Sequence, residues 1–413
     1  MESNKEFDIA VLGPTGYTGK FCAEYIVKNL PTNLKWALAG RSLSKIENVA
    51  KELKALNPDR SPPDTIAVQL NQEELYSLAQ RTKLIINCVG PYYLYSIPVV
   101  EACARTGTNY IDATGEPPFV KSIIEKYHES AKASGAIIIP SVGFESVPAD
   151  ILSWILVKRV REEFSCHTRE ITCAIDELKS SGASGGTLST ILSIFDSLSI
   201  SDMFKSIHPF AIAASAPKSI PSEPFINTLL GVRSVRDMGV LTTAPITIAD
   251  RLIVHRSSTL MPEFYGPQFY FREFIRVRNV FIGVALHIAF VIGLLLLTLP
   301  PVRFLLRRII YTPGSGPRRE DSTTEWFRYR AVATVDQTSQ TPKRVLGILK
   351  YQGSLYALTG LLMAEAAMVV LENEAKVKKV SRAGIVTSAT LGQEYADRLE
   401  KAGCRIETRL LEY

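Results

Sequence analysis

The chain has 413 residues, 46% hydrophobic and 21% charged. An extended disordered chain is thereby excluded, and the length allows two domains or one large domain with an appended part. The net charge of +6, from 47 basic and 41 acidic residues, is small and dispersed, and with no basic stripe among the aromatics it argues against a nucleic-acid partner. Six cysteines (Cys22, Cys88, Cys103, Cys166, Cys173 and Cys404) form no CxxC pair, so neither disulfides nor a metal site is expected and a reducing compartment fits. The first 25 residues carry no secretory pattern.

Residues 1–140 alternate short apolar runs (7–13, 35–40, 65–70, 83–90, 108–115 and 136–141) with helical stretches near 17–29, 43–56, 72–81, 97–106 and 117–134. Strands alternating with helices of this length predict βαβ units and a parallel sheet covered on both faces. The right-handed crossover rule makes it a doubly wound, Rossmann-type sheet.

Residues 141–278 read as a second α/β domain, with a strand at 169–176, a glycine-rich loop entering a helix at 180–190 and a proline- and serine-rich loop at 213–224. Residues 279–302 then contain no Asp, Glu, Lys or Arg, and 16 of the 20 positions from Val280 to Leu299 are apolar. That approaches the ~20 residues that cross a hydrocarbon core. A buried core helix is the alternative, but core helices are usually shorter and not apolar all round. Arg272, Arg276 and Arg278 precede the run, and Arg303, Arg307 and Arg308 follow it, so charge gives no orientation. Arginines on both flanks and the break at Pro300-Pro301 favour a monotopic insertion over a span.

After a loop at 312–325, strands at 326–335 and 344–353 predict a hairpin, and an apolar helix at 355–374 carrying Glu365 reads as core. Two strands alone are marginal, and the nearest partner is the strand at 169–176. Sharing one sheet would hold residues 303–413 on the same side of a membrane as residues 1–278.

The first strand runs directly into GPTGYTG, with Gly13, Gly16 and Gly19 three residues apart. Between a strand and a helix, such glycines permit a tight turn and close approach to a pyrophosphate, which the helix N-terminus then attracts. The second strand ends Gly40-Arg41-Ser42 with Lys45 following. An NAD-binding fold usually carries an acid there for the ribose; a guanidinium suits a 2′-phosphate, so NADP is expected, with NAD as the alternative.

The fourth strand ends with Asn87, Val89, Gly90, Pro91 and Tyr92, at the sheet edge where ligands of this fold bind. The next strand brings Asp112 and Glu116 to the same edge. Tyr92, Asp112 and Glu116 are the candidates for proton handling; helix capping by the acids and packing by the tyrosine are the alternatives. Phe144, Glu145 and Ser146, with Gly185, Gly186 and Thr187 of the SGGT turn, are candidate substrate contacts. Asp150 has helix capping as its simpler role. His287, inside the apolar run, has no assigned role.

Together GPTGYTG, AGRS, NCVGPY, YIDATGE, GFESVPAD and SGGT resemble, in order, the saccharopine dehydrogenase-like oxidoreductases and their trans-acting enoyl reductase branch, over roughly residues 5–195. The resemblance implies an NAD(P)-binding Rossmann domain followed by a mixed-sheet α/β domain to which residues 303–413 return. It also implies cofactor contacts at Gly13, Thr15, Gly16, Tyr17, Thr18 and Arg41. Glu145 stands where Asp is usual, keeping the charge and lengthening the reach. Relatives with a comparable apolar insertion look membrane- or lipid-droplet-associated.

The expected function is an NADP-dependent reductase acting on a C=C or C=N bond of a lipid-like substrate at a membrane or lipid-droplet surface. Lipid droplet and endoplasmic reticulum are the favoured sites, with the mitochondrion open and a homodimer allowed. A catalytically silent dinucleotide-binding lipid-surface protein and a soluble saccharopine reductase are the alternatives.

Overall fold

The computed structural model describes residues 5–215, 220–244, 246–309, 314–337, 342–381 and 383–412. The loops expected at 213–224 and 312–325 therefore lie partly outside the described residues. The first layer comprises β1 (Phe7–Leu12), α1 (Tyr17–Asn29), β2 (Trp36–Gly40), α2 (Leu43–Leu56), β3 (Asp64–Ala67), α3 (Gln72–Arg81) and β4 (Thr82–Asn87). It continues through α4 (Tyr92–Tyr95), α5 (Ile97–Thr106), β5 (Asn109–Asp112), α6 (Pro117–Ser134) and β6 (Ile137–Ile139).

The chain then builds α7 (Val147–Phe164), β7 (Thr168–Lys179), α8 (Gly185–Ser197), α9 (Ile200–Ser206), α10 (Phe225–Leu230), β8 (Val232–Val235) and β9 (Gly239–Thr242). Next come α11 (Thr247–Leu260), α12 (Pro262–Tyr265), β10 (Tyr270–Val277), α13 (Val280–Leu297), α14 (Pro300–Leu306), α15 (Arg319–Ser322), β11 (Trp326–Val335) and β12 (Arg344–Gln352). Last are α16 (Leu355–Ser381), β13 (Gly384–Ile385), α17 (Gly392–Lys401) and β14 (Arg405–Leu411).

Seven parallel strands form the first sheet, in the order β13-β6-β5-β4-β1-β2-β3. Its central strands are buried on both faces, which is why they read as continuous apolar runs. The second sheet, β14-β12-β11-β7-β10-β9-β8, is mixed: β10 runs parallel to β7 and the other pairs are antiparallel. The hairpin β11–β12 pairs with β7, and β13 adds a seventh strand to the first sheet. Helix α16 packs along α1, and a Cβ on Gly360 would come within 2.7 Å of the Cys22 backbone N, so only glycine lets the helices approach this closely. The second helix with apolar length, α16, is mostly buried and belongs to the core.

Helix α13 is the opposite case: of its 18 residues only Gly283 is buried. At ~1.5 Å per residue it is about 27 Å long. Gly283 sits against Val232, Val277 and Thr242, which fixes the N-terminal half of the helix on the second sheet. The strands on either side of this excursion, β10 and β11, both flank β7. Ile275 of β10 lies beside Ile175, and Trp326 of β11 beside Lys179, so the chain leaves and re-enters the sheet at one end of β7. That geometry returns both flanks to the same side.

The arginines bounding the run are largely engaged. Arg276 pairs with Asp176 at 2.7 Å, and Arg272 with Glu170 and Glu223. Arg303 donates to the Leu297 and Thr298 carbonyls at 2.8 and 2.9 Å and bonds Asp196 of α8 at 2.7 Å. It thus satisfies the open C-terminal carbonyls of α13.

Candidate active site

The glycine loop leaves β1 at Gly13 with φ +84°, a left-handed conformation that favours glycine, and a Cβ there would lie 2.8 Å from Val89 Cγ2. At Gly19 a Cβ would meet the Gly13 carbonyl at 2.2 Å, so this glycine serves the packing of α1 on its own loop. Beyond the loop, one cavity of about 2060 Å³ crosses the C-terminal edge of the first sheet. Gly13, Thr15, Gly16, Tyr17, Thr18, Arg41, Lys45, Val89 and Gly90 line one end. Arg41 and Lys45 are exposed there and make no ion pair with any described residue.

Tyr92, Glu116, Phe144, Glu145, Ser146, Gly186 and Thr187 line the middle of the same cavity. Gly19, Ser42, Asn87, Pro91, Asp112 and Gly185 lie outside its lining. Asn87 is buried below, its amide donating to Ser96 Oγ at 2.8 Å and Tyr110 OH at 3.0 Å, with its carbonyl accepting from Val89 N. It holds the loop that lines the cavity. Ser42 precedes α2, its hydroxyl 3.3 Å from Ser44 Oγ.

The acids divide by their partners. Asp112 accepts from Tyr110 OH at 2.7 Å and from Thr114 N and Ser141 N at 2.9 Å each. Burial pushes its carboxyl up to about 6, against the pull of those donors. Glu116 accepts from Tyr92 N at 2.6 Å and Tyr93 N at 2.8 Å, capping α4, and burial raises it to about 7. Both oxygens of each acid are therefore occupied within the fold. The Tyr92 hydroxyl donates to the Asn87 carbonyl at 3.4 Å and meets the Ala113 backbone, and burial pushes it well above its usual value.

Glu145 differs. It lines the cavity, accepts no hydrogen bond from any described residue, and burial raises its carboxyl above the usual range. A Cβ on Gly115 would come within 2.6 Å of its Oε2, so Gly115 makes the room for it. An unengaged acid facing the crevice is equipped to hold and release a proton. Asp150, by contrast, caps no helix end. It sits inside α7, accepting from Ser257 and Ser388 hydroxyls at 2.5 and 2.7 Å and from Ala389 N at 2.8 Å, where it ties α7 to α11 and to the turn after β13.

The SGGT turn opens α8, with Ser184 Oγ accepting from Thr187 N. The Gly185 amide is taken by the Ser315 carbonyl, and Thr187 Oγ1 lies 3.1 Å from Tyr356 OH. Tyr356 in turn stacks edge-to-face on Tyr17 at 4.8 Å, joining the cofactor loop to the second domain. The sequence reading placed Tyr356 in a core helix, and no local signal marks it.

The far end of the cavity is apolar. It is walled by Ile191, Ile194 and Phe195 of α8, Met203 and Phe204 of α9, and Phe290, Val291 and Gly293 to Leu297 of α13. From sequence only the helix entered at 180–190 and the apolar run at 279–302 were read, and only the fold brings α8, α9 and α13 round one space.

Residues 9–139 match the family model described as the saccharopine dehydrogenase NADP binding domain. The chain is an NAD(P)-dependent oxidoreductase that resembles the saccharopine dehydrogenases over this domain. A Mycobacterium tuberculosis protein provisionally named a trans-acting enoyl reductase is 28% identical, over 98% of each chain. A trans-acting enoyl reductase of Mycobacterium ulcerans is 27% identical over 99% of each. Among solved structures, the saccharopine dehydrogenase (L-Glu forming) of Saccharomyces cerevisiae matches 98% of this chain and 100% of its own, with TM-score 0.51 and 13% identity, a likeness of fold.

This oxidoreductase binds NADP, and its loop fits that cofactor. Gly16 leaves the helix N-terminus open, with no atom nearer than the Gly13 carbonyl at 3.5 Å from a Cβ placed there, and Arg41 and Lys45, without an ion pair among the described residues, stand at the same end of the cavity.

Proposed function

We propose that the protein is an NADP-dependent reductase of a C=C or C=N bond in a lipid-like substrate, working at a membrane or lipid-droplet surface. The observation that carries this reading is the single cavity joining the glycine loop and Arg41 to an apolar chamber walled in part by α13. Ligand sites usually measure ~300–1,000 Å³, so a cavity of about 2060 Å³ leaves room for a second ligand beside a dinucleotide. The names of the mycobacterial relatives favour the C=C bond.

A dinucleotide held by these residues would, when bound, provide hydride-transfer chemistry. The chain's own residues do the rest. Gly13 and Gly16 and the start of α1 seat the pyrophosphate, and Arg41 and Lys45 select the extra phosphate. Glu145, whose carboxyl burial raises, delivers a proton to one atom of the double bond and is reprotonated from solvent. Asp112 and Glu116 shape the edge on which the reacting groups meet.

An exposed, uncharged α13 whose two flanks return to one sheet supports a monotopic insertion, which suits the single leaflet of a droplet or the cytosolic leaflet of the endoplasmic reticulum. The test is NADPH consumption by the full chain with 2-enoyl lipids in vesicles, beside a flotation assay. NADPH-dependent saturation of the chain supports the reading. Oxidation of NADPH only with a soluble amino-acid imine and no flotation would sink it.

A further inference from the structure

The apolar end of the cavity is open, and its rim lies beside the exposed apolar face of α13. Ile191, Ile200, Phe204, Val291, Leu294 and Leu295 all line the cavity. All six are also exposed, from 36% for Leu294 to 65% for Phe204. A side chain can do both only at a mouth. An apolar rim of this size is unfavourable against water, at ~25 cal/mol per Å², and costs nothing against hydrocarbon.

Two of the rim's three elements, α8 and α9, are short helices of the second domain; the third is α13, whose other face is exposed and uncharged along its length. The apolar surface continues beyond it onto Phe225 and Leu229 of α10 and Phe304 and Leu305 of α14. The opposite end of the same cavity carries Arg41 and Lys45 in water.

We infer that the cavity has two mouths serving two phases: the dinucleotide enters from water past Arg41, and the substrate's hydrocarbon chain enters sideways from the leaflet between α8, α9 and α13. The substrate class is then a membrane-dissolved long-chain lipid, drawn in tail and all without leaving the hydrocarbon. This rests on the lipid-surface reading proposed above and adds the route.

The test uses the full chain with phosphatidylcholine vesicles containing a long-chain fatty acid that bears a diazirine in its chain. After irradiation, adducts on Ile194, Phe195 and Met203, inside the chamber, are expected. Leu294→Trp, and independently Ile200→Trp on another helix, should cut those adducts at least fivefold while vesicle flotation and NADPH affinity stay unchanged. Adducts confined to outward residues such as Phe281 and Ile288, or chamber adducts insensitive to both tryptophans, would overturn the lateral route and leave the lipid-surface reading standing. Failure to float with vesicles would overturn both.

Discussion

Nδ1 of His287 lies 2.7 Å from the Thr243 hydroxyl. This contact gives the one ionisable side chain of the apolar helix a partner on the sheet. The ring rests on Gly231, in left-handed conformation, where a Cβ would intrude to 2.1 Å. With Gly283 it fixes which end of α13 is docked, and so which end reaches the cavity. His287→Leu removes a part-buried hydrogen bond worth ~1 kcal/mol. The variant should melt a few degrees lower and bind NADPH normally. An unchanged melting temperature would mean the contact does not hold the helix.

In the proposed reading, Arg41 recognises the phosphate that distinguishes the two nicotinamide cofactors. A charge-assisted contact of this kind is worth ~1.5–3 kcal/mol, about a 10- to 100-fold change in affinity. Arg41→Asp should weaken NADPH by that factor and leave NADH little altered, measured by calorimetric titration. Equal weakening of both would show that Arg41 acts on the loop and not on the 2′-phosphate.

For Glu145 the prediction concerns rate. Glu145→Gln should lower kcat about 10²- to 10⁴-fold, the usual weight of a general acid, with NADPH affinity intact. Because burial raises this carboxyl and the protonated form is the competent one, wild-type kcat should fall as pH rises through its pKa. Glu145→Asp should recover part of the rate. If Gln costs nothing, Tyr92 becomes the donor to test.

Behind the cavity, Asp250 and Glu273 form a buried acid pair between α11 and β10, with Tyr329 OH 3.4 Å from Asp250. Burial raises both, Glu273 to about 8. An unfolded glutamate titrates near ~4.3, so the pair's contribution is full below that value and is lost as pH rises through about 8. Asp112, Glu116 and Asp150 shift the same way. The melting temperature should therefore decline from pH 6 to 9, and Glu273→Gln should flatten the decline. An equally steep fall in the variant would remove the pair as its source.

The nucleotide layer was legible because its signals are local: each strand is an apolar run between turn residues, and the glycine spacing sits where a strand meets a helix. The pairing of the 326–335 strand with β7 also followed, since two strands need a partner. The β8–β9 hairpin and β13 gave weaker patterns, being short or at edges, and β13 has only two residues, while β10, inside the sheet, is broken by Arg272, Glu273 and Arg276. At the site, residue types were readable but their partners were not. Asp112 and Glu116 look as suitable as Glu145 until hydrogen bonds show that only Glu145 is unengaged. The apolar chamber was invisible because α8, α9 and α13 are distant in sequence and meet only in the fold.

The strand that completes the nucleotide-binding sheet, β13, is made after the apolar helix, as is α16, which covers α1. On the ribosome, α13 therefore emerges while the first domain still lacks its last strand and the helix that packs on its cofactor helix. If α13 inserts in a lipid surface as proposed, it would do so on an unfinished molecule, and the dinucleotide site would close only afterwards.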